Sequence, residues 1–190
     1  MRKEDLEMFV RIPEIKTERL TLRRITTKDL FDVFEYAKDP GVSQYLLWYP
    51  HISINDTKRY LNTVDTLYRK GRFYDWGVEL NGKMIGTVGF SSFDIDNNSA
   101  QLGYVITQGF WGQGIATEAA LTIIKFGFEK LGLRRIYARC IRGNEASVAV
   151  MKKCKMTFEG LARDGILVKG RYCDIITYSI TFNEYREYYY

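Results

Sequence analysis

A strand, a glycine-rich loop and a long apolar helical pattern follow one another in the middle of the chain, and no other feature constrains the fold as strongly. The strand is predicted over AQLGYVIT, and the loop QGFWGQG spans residues 108–114. Two adjacent faces of the helical pattern carry apolar residues, namely Ile115, Ala119, Ile123 and Phe126 on one and Ala116, Ala120, Ile124 and Phe128 on the other. We therefore expect a broadly buried helix that ends near Gly132 and packs inside a globular core.

The segments before this unit alternate between strand and helix patterns. ERLTLRRIT alternates like a half-buried strand, and KDLFDVFEYAKD has apolar residues at helical spacing. A second helix is predicted over NDTKRYLNTVDTLYRKG, with Ser53 and Asp56 as its N-terminal cap. FYDWGVEL and KMIGTVGFSSFD flank Asn81-Gly82, the dipeptide that type I′ hairpins favour. Together with AQLGYVIT, they predict a meander of three antiparallel strands.

After the buried helix, the chain predicts three strands and one short helix. The strands are RRIYARCI, TFEGLAR and RYCDIITYSI, and the last is reached through a predicted loop, DGILVKG. EASVAVMKKC predicts a short amphipathic helix. Because no repeat, low-complexity tract or linker divides the chain, we expect one mixed α/β domain over residues 1–190.

Composition excludes several classes of protein. Of the 190 residues, 46% are hydrophobic, which suits a globular core and argues against a disordered or fibrous chain. Three widely spaced cysteines and the single His51 predict neither a disulfide scaffold nor a metal site. The start, MRKEDLEMFV, is charged where a signal peptide is apolar, and no stretch reaches the ~18 apolar residues of a membrane span. We expect a reduced, cytoplasmic protein without a metal or a membrane partner.

The positive charge of the chain is concentrated in one segment. The formal net charge is +5, and residues 108–155 hold nine Lys and Arg against three acids. This segment therefore carries +6, and the rest of the chain sums to −1. Such a local excess predicts an anionic partner, which could be a nucleic acid or a phosphorylated small molecule. Aromatic residues do not interleave with the basic ones, which argues against nucleic acid.

The glycine-rich loop before a helix is typical of phosphate binding, because backbone N–H groups can approach an anion closely there. Two familiar versions fail on spacing. Ile115 and Ala116 stand where an NTPase loop needs Lys and Ser or Thr, and Thr117 fills the third glycine position of a dinucleotide fingerprint. A loop that needs its glycines only for the turn is the structural alternative.

The run Gly112-Gln113-Gly114-Ile115-Ala116-Thr117-Glu118, entered from LGYVI, resembles the acyl-CoA pyrophosphate loop of the GNAT N-acetyltransferase superfamily. TERLTLRRIT, NGKMIGTVGF, Asn144 with Ser147, and FEGLARDG before RYCDIITYSI resemble, in order, its ribosomal-protein N-terminal (alanine) acetyltransferase branch. The resemblance covers about residues 17–180. It implies an α/β (α+β) fold whose central sheet is mixed, mostly antiparallel and flanked by helices. It also implies a V-shaped splay between the strands near 101–107 and 135–141.

The resemblance further implies acetyl-CoA as the cosubstrate and direct acetyl transfer to an amine. The cofactor-binding positions that it implies are the strand edge at Tyr104, Val105 and Ile106, the loop residues Gly112, Gln113, Gly114, Ile115, Ala116 and Thr117, and Asn144 with Ser147. Plain N-capping is the alternative role for Asn144. Relatives often carry a catalytic Tyr where this chain has Met151, so Ser147 is the expected donor to the leaving sulfur. Gln101 replaces a frequent acid, which leaves the general base unnamed, with ordered water as the default.

The acceptor predicted from this branch is a protein N-terminal α-amine. Its pKa is ~7.7–8.0 against ~10.4 for Lys, so its deprotonation near neutral pH costs about 3 kcal/mol less. A polyamine or aminoglycoside, a CoA-binding regulator without catalysis and a nucleic-acid-binding protein are the alternatives. The sequence does not decide between a monomer and a homo-oligomer.

Several other residues attract attention because of their type. His51 is expected at the surface, with a substrate-side role as the alternative. Cys140 and Cys154 are expected as buried small hydrophobes rather than nucleophiles. The aromatic residues that either line an acceptor pocket or pack in the core are Tyr45, Trp48 and Tyr49.

Overall fold

The computed structural model describes residues 8–189, and an eight-stranded sheet forms its centre. The strands are β1 (Ile15–Lys16), β2 (Thr21–Arg23), β3 (Asp75–Leu80), β4 (Lys83–Asp94), β5 (Ser99–Ile106), β6 (Arg135–Ile141), β7 (Thr157–Val168) and β8 (Arg171–Thr181). They lie in the order β1-β2-β3-β4-β5-β6-β8-β7. Neighbouring strands are antiparallel except β5 and β6, which are parallel. The predicted mixed, mostly antiparallel sheet is therefore confirmed.

Helices cover both faces of the sheet. They are α1 (Leu30–Ala37), α2 (Pro40–Ser43), α3 (Ile54–Arg69), α4 (Ile115–Glu129), α5 (Glu145–Lys153) and α6 (Phe182–Tyr189). Trp76 on β3 stacks edge-to-face on Phe126 of α4, with ring centroids 5.2 Å apart. Because successive strand residues point to opposite faces, the neighbouring Asp75 points away from α4, towards α1 and α3. Within residues 8–189, no helix has the length and apolarity that crossing a membrane requires.

Two local signals in the first half of the chain fold as predicted. Asn81 and Gly82 both have positive φ, 51° and 79°, and join β3 to β4 in a tight hairpin. Ser53 and Asp56 form a capping box at the start of α3, in which each side chain accepts a hydrogen bond from the other residue's backbone N–H. Both signals are local, since each depends on residues no more than three positions apart.

The parallel ladder between β5 and β6 stops after Leu102 and Ala138, and the two strands diverge beyond it. On its other side, β5 stays paired with β4 as far as Ile106, and β6 stays paired with β8 as far as Ile141. The edge of β5 from Gly103 to Ile106 therefore faces a gap. The predicted V-shaped splay is confirmed.

The end of β7 differs from the prediction. The segment DGILVKG was expected to be a loop, but β7 continues to Val168, and only Lys169 and Gly170 form the turn, with φ of 50° and 80°. A bulge between Ala162 and Ile166 absorbs the Asp-Gly pair, which is a composition that also suits a turn. The long hairpin that results brings Lys169 to α2, where its Nζ donates a 2.7 Å hydrogen bond to the Ser43 carbonyl.

Candidate active site

A cleft of about 730 Å³ opens where β5 and β6 diverge. It is lined by the edge of β5, by the loop before α4 and by the first turns of α5. The predicted cofactor residues on its wall are Tyr104, Val105, Ile106, Gly112, Gly114, Ile115, Ala116, Thr117, Asn144 and Ser147. Gln113 does not line the cleft, because its side chain turns back and donates to the Gly109 carbonyl at 3.0 Å.

The loop before α4 depends on two left-handed glycines. Gly112 and Gly114 have φ of 76° and 78°, a region that β-carbons disfavour. Gly114 is also the N-cap of α4, so the N–H groups of the first helical turn point out of the helix with no carbonyl of the same helix to accept them. With the positive end of the helix dipole, this backbone forms a site suited to an anion.

Arg19 holds this loop in place from outside the cleft. Its Nη1 donates to the Gln113 carbonyl at 3.0 Å, and its Nε forms a 2.6 Å ion pair with Glu118 in the first turn of α4. Burial alone would raise the pKa of Glu118, but hydrogen bonds from Thr17 and Arg19 bring it below its usual value. Glu118 is therefore a charged anchor for the loop, placed in the first turn of α4 where the helix dipole favours a negative charge.

Two hydroxyl groups meet across the cleft. Tyr104 Oη on β5 lies 2.8 Å from Ser147 Oγ on α5, and it also donates to the Ser147 carbonyl at 3.1 Å. Asn144 Oδ1 accepts from the Ser147 N–H at 3.1 Å, so Asn144 does cap α5 and fixes Ser147 in its first turn. Burial raises the pKa of Tyr104, against a smaller lowering by its bond to Ser147, so the phenol stays protonated. Met151 is fully buried and does not line the cleft.

The tyrosine hydroxyl at this site comes from β5 and not from α5. The sequence predicts a role only for the backbone of Tyr104, since the edge of a strand binds through its main chain. The signal that could have identified the side chain is its place in the strand, because Val88 of β4 pairs with it on the face that carries α4 and α5. A tyrosine on that face can reach a helix packed there.

The two buried cysteines have the character expected of small hydrophobes. Cys140 lines the cleft close to Ser147, and burial, with a further contribution from Glu145, raises the pKa of its thiol to about 11. Burial also raises the pKa of Cys154 to about 12. Neither thiol is a thiolate near neutral pH. Within residues 8–189, no three His, Cys, Asp or Glu side chains are grouped so that they could hold a metal ion.

The basic residues of 108–155 are divided between the cleft and the surface. Arg139 and Lys153 line the cleft, and Arg139 Nε donates to Gln101 Oε1 at 3.1 Å. Three arginines interact elsewhere, namely Arg134 with the ring of Phe182, Arg135 with Glu159 and Arg142 with Asp174. Only part of the +6 excess therefore borders the site. An amide held by a guanidinium occupies position 101, and neither group can accept a proton.

Asp75 also lines the cleft, and the sequence analysis assigns it no role. It is the first residue of β3, half-buried, and burial raises its pKa to about 7. Among residues 8–189, no group donates a hydrogen bond to its carboxylate. An acid between the aromatic residues Tyr74 and Trp76 at the start of a predicted inner strand is the signal that could have found it.

The aromatic segment after α2 divides between the two expected roles. Tyr45 lines the cleft and donates to the Gly143 carbonyl at 3.1 Å, Trp48 packs on the core, and Tyr49 is exposed beneath the Lys169 ammonium at 5.5 Å from its ring centroid. His51 is half-buried rather than fully exposed, because its Nδ1 bonds Thr57 Oγ1 at 2.8 Å. Burial lowers the pKa of His51, which indicates a structural imidazole that is neutral near pH 7.

Comparison with known proteins adds a family to this geometry. Residues 19–157 match the family described as "Acetyltransferase (GNAT) domain". The "Uncharacterized N-acetyltransferase p20" of Bacillus licheniformis is 32% identical over 171 residues, which cover 89% of this chain and 96% of that protein. The "Putative ribosomal N-acetyltransferase YdaF" of Bacillus subtilis is 30% identical over 172 residues, which cover 88% and 94%.

Solved structures have the same fold. The crystal structure of an "acetyltransferase (GNAT family) from Bacillus anthracis" superposes with a TM-score of 0.80 at 29% identity, covering 90% of this chain and all of that one. A complex of the "Ribosomal L7/L12 alpha-N-protein acetyltransferase" RimL with coenzyme A superposes with a TM-score of 0.78 at 22% identity, covering 90% and 99%. At that identity the second likeness establishes the shared fold alone.

Proposed function

Because the chain belongs to the GNAT N-acetyltransferase family, we propose that it transfers the acetyl group of acetyl-CoA directly to the N-terminal α-amine of a protein. The observation that carries the proposal is the convergence of three features on one cleft. These are the free edge of β5, the loop before α4, and the hydroxyl pair of Tyr104 and Ser147. They can hold an amide-containing arm, an anion and a leaving sulfur, respectively.

Acetyl-CoA suits these features in chemistry and in order. The amides of its pantetheine arm can pair with the open backbone of residues 104–106, as an added strand would. Its pyrophosphate suits the N–H groups between Gly112 and Thr117, where the helix dipole favours negative charge. Arg139 and Lys153 supply positive charge on the same wall. In this arrangement the thioester lies near the split, beside Ser147.

Ser147 is the proposed proton donor to the departing thiolate. During transfer the C–N bond forms, the C–S bond breaks, and a proton released by the amine nitrogen ends on sulfur. Ser147 Oγ can pass its proton to the sulfur and take up the one released by the amine, while the Tyr104 O–H, 2.8 Å away, can turn from the Ser147 carbonyl to hydrogen-bond the serine oxygen. The two hydroxyls thus form a hydrogen-bonded pair, and both are protonated near neutral pH.

A protein N-terminus is the proposed acceptor class. The free α-amine loses its proton more easily than a lysine by about 3 kcal/mol near neutral pH. Outside residues 108–155 the chain sums to −1, which does not favour a strongly cationic acceptor such as a polyamine. One relative with 30% identity carries a ribosomal acetyltransferase name. The proposal includes a cytoplasmic location, where ribosomal proteins and acetyl-CoA occur together.

The test combines binding with turnover. Calorimetric titration with acetyl-CoA measures the first, and thiol release measures the second. The substrates are a lysine-free peptide with a free N-terminus, an N-acetylated peptide of the same length with one lysine, and spermidine. We expect a micromolar or tighter Kd and at least tenfold higher kcat/KM for the free N-terminus than for the lysine peptide.

Three results would contradict the proposal, each in a different way. No binding at micromolar acetyl-CoA would remove the cofactor assignment. Binding without turnover on any amine would favour a regulator that senses acetyl-CoA. Faster turnover of spermidine than of either peptide would assign the cleft to small amines.

A further inference from the structure

Asp75 lies at one end of a row of residues that crosses three strands. It pairs with Gly89 of β4, and Gly89 pairs with Gly103 of β5. Directly paired residues of antiparallel strands point to the same face of the sheet. The Asp75 side chain therefore lies on the face where Gly89 and Gly103 leave space because they have no side chain. Gly103 is the first residue of β5 beyond the parallel ladder with β6. The row therefore leads from Asp75 to the point where the split opens.

No side chain stands between Asp75 and that opening. A Cβ at Gly89 would lie 2.4 Å from Asp75 Oδ1, so the carboxylate itself occupies the space above Gly89. A Cβ at Gly103 would meet nothing within 4 Å, which means that the space above Gly103 is open cleft. Paired Cα atoms of neighbouring strands are about 5 Å apart. A group held above Gly103 is therefore about one strand spacing from the Asp75 carboxylate, a gap that one water molecule or the ammonium group of an acceptor can bridge.

The carboxylate is available for such a group. Within residues 8–189, every fully buried polar side-chain atom has a hydrogen-bond partner, and the Asp75 carboxylate has none. The Asp75 oxygens are therefore not fully buried, and they reach the cleft. The partial burial of the side chain raises the pKa of Asp75 to about 7. A general base works best when its pKa lies near the working pH, which this value does.

Asp75 and the hydroxyl pair flank the split from opposite faces of the sheet. Tyr104 and Ser147 lie on the face of α4 and α5, whereas Asp75 faces α1 and α3. A thioester held in the split thus has a proton donor for its sulfur on one side. On the other side it has a carboxylate facing the path that an incoming amine would take.

We propose that Asp75 binds the ammonium group of the acceptor and then accepts its proton as the general base, an inference that rests on the proposed acetyltransferase function. Asp75 takes one proton from R–NH₃⁺, and the resulting R–NH₂ attacks the thioester carbon. The C–S bond then breaks, and the second proton lost by nitrogen reaches the sulfur through Ser147. Asp75 returns its own proton to solvent through the cleft, so the sum is one amide, one thiol and one released proton.

The tyrosines that face Asp75 stay protonated near neutral pH, whereas the pKa of Asp75 itself lies near 7. Burial, with the Asp75 charge adding to it, raises the pKa of Tyr36 and of Tyr60 above its usual value, so both phenols stay neutral. The other titratable or charged groups around it are Tyr68 from α3, Arg24 against the Tyr68 ring, Asp29 before α1, His51 against the Tyr60 ring, and Arg139 across the cleft.

The test is the pH dependence of kcat/KM for Asp75→Asn, measured with the free N-terminal peptide between pH 6 and 9. At pH 7 we expect a loss of about 100-fold, the usual size of general base catalysis, with the Kd for acetyl-CoA changed less than threefold. Because the variant depends on amine that is already neutral, its deficit should shrink above pH 8. In the wild type, kcat/KM should fall on the acidic side with an apparent pKa near 7. In Asp75→Asn this fall should be replaced by one that follows the pKa of the amine substrate alone.

Asp96→Asn is the matched control, since Asp96 is an exposed carboxylate of the β4–β5 turn, outside the cleft. It should retain wild-type kcat/KM at every pH. An active wild type together with an Asp75→Asn variant that keeps its activity and its acidic limb would overturn this inference and leave the proposed function standing. A wild type that acetylates no amine would overturn both.

Discussion

The two halves of the cleft are built by different means. The half beside α4 and α5 is mostly backbone, because one continuous segment, from the edge of β5 through the loop to Thr117, supplies its main wall and the first turns of α5 complete it. The half that faces α1 and α3 is made of side chains from distant segments, such as Asp75 on β3 and Tyr45 after α2. A cosubstrate common to a family suits the first kind of construction. An acceptor that differs between relatives suits the second.

The two halves also differ in how their polar groups are satisfied. Around the loop, Arg19 pairs with Glu118 and donates to the Gln113 carbonyl, and the Gln113 side chain donates to the Gly109 carbonyl. Across the sheet, the carboxylate of Asp75 has no hydrogen-bond partner among the described residues, and tyrosines surround it. The acceptor half should therefore reduce the stability of the fold, whereas the cofactor half should not. The predictions below test this contrast.

The largest expected effect is on stability. The folded-state pKa of Asp75, about 7, lies above its ordinary value near 3.9, so the folded protein holds this proton more tightly than the unfolded chain does. The charge of Asp75 thus lowers the free energy of unfolding progressively from about pH 4 to about pH 7, and fully above that. The pKa difference corresponds to about 4 kcal/mol at pH 8, and solvent screening of the half-buried carboxylate reduces the expected advantage of Asp75→Asn over the wild type to about 3 kcal/mol. Urea denaturation at pH 4, 6 and 8 measures the difference.

The sign of the pH dependence is the critical observation. The advantage of Asp75→Asn should nearly vanish towards pH 4, because the wild-type carboxyl is then neutral in the folded state and only about half ionised in the unfolded chain. The exposed control Asp96→Asn should show no such trend. A gap between Asp75→Asn and the wild type that stays constant from pH 4 to 8 would mean that the asparagine changes packing, not charge.

The next largest effect concerns the cofactor half. Gly114→Val places a β-branched residue at φ of 78° at the N-cap of α4. The loop must then rearrange, and we expect acetyl-CoA affinity to fall about 100-fold, which is about 2.7 kcal/mol. Gly109→Ala is the control, because Gly109 has no positive φ and a Cβ there meets nothing within 4 Å. Equal Kd values for both variants would refute the assignment of the loop to the pyrophosphate.

The contrast between the halves also explains what the sequence could predict. Gly112, Gly114 and the Asn144 cap were recognisable because spacing within a few residues determines their conformations. Asp75 is not predictable in this way, because its role depends on the register of β3, β4 and β5. That register pairs Asp75 with Gly89, 14 positions later, and Gly89 with Gly103, another 14 positions later. The bulge between Ala162 and Ile166 has a sequence that predicts a loop for a related reason, since only the pairing of β7 with β8 shows that the strand continues.

A smaller effect should distinguish the roles of the paired hydroxyls. Ser147→Ala should lower kcat about 30-fold, or about 2 kcal/mol, because the thiolate leaves without its donor. Tyr104→Phe should lower kcat less, since Ser147 Oγ remains, and the double variant should resemble Ser147→Ala alone. Single-turnover rates and acetyl-CoA titrations separate catalysis from binding. Unchanged turnover in Ser147→Ala, with intact affinity, would remove Ser147 from the mechanism.

The smallest effect is expected at the mouth of the acceptor half. Lys169 donates from the β7–β8 turn to the Ser43 carbonyl and lies over the Tyr49 ring, so it holds this turn against the segment that contains Ser43 and Tyr49. Lys169→Met keeps the length of the side chain but removes the donor and the charge. We expect KM for the peptide to rise about threefold, less than ~1 kcal/mol, while kcat and the acetyl-CoA Kd stay unchanged. Arg171→Met, at the first residue of β8 after the same turn, is the control for a general loss of charge. A change in the acetyl-CoA Kd of Lys169→Met, but not of Arg171→Met, would show that the two halves are coupled through this hairpin and would break the contrast between them.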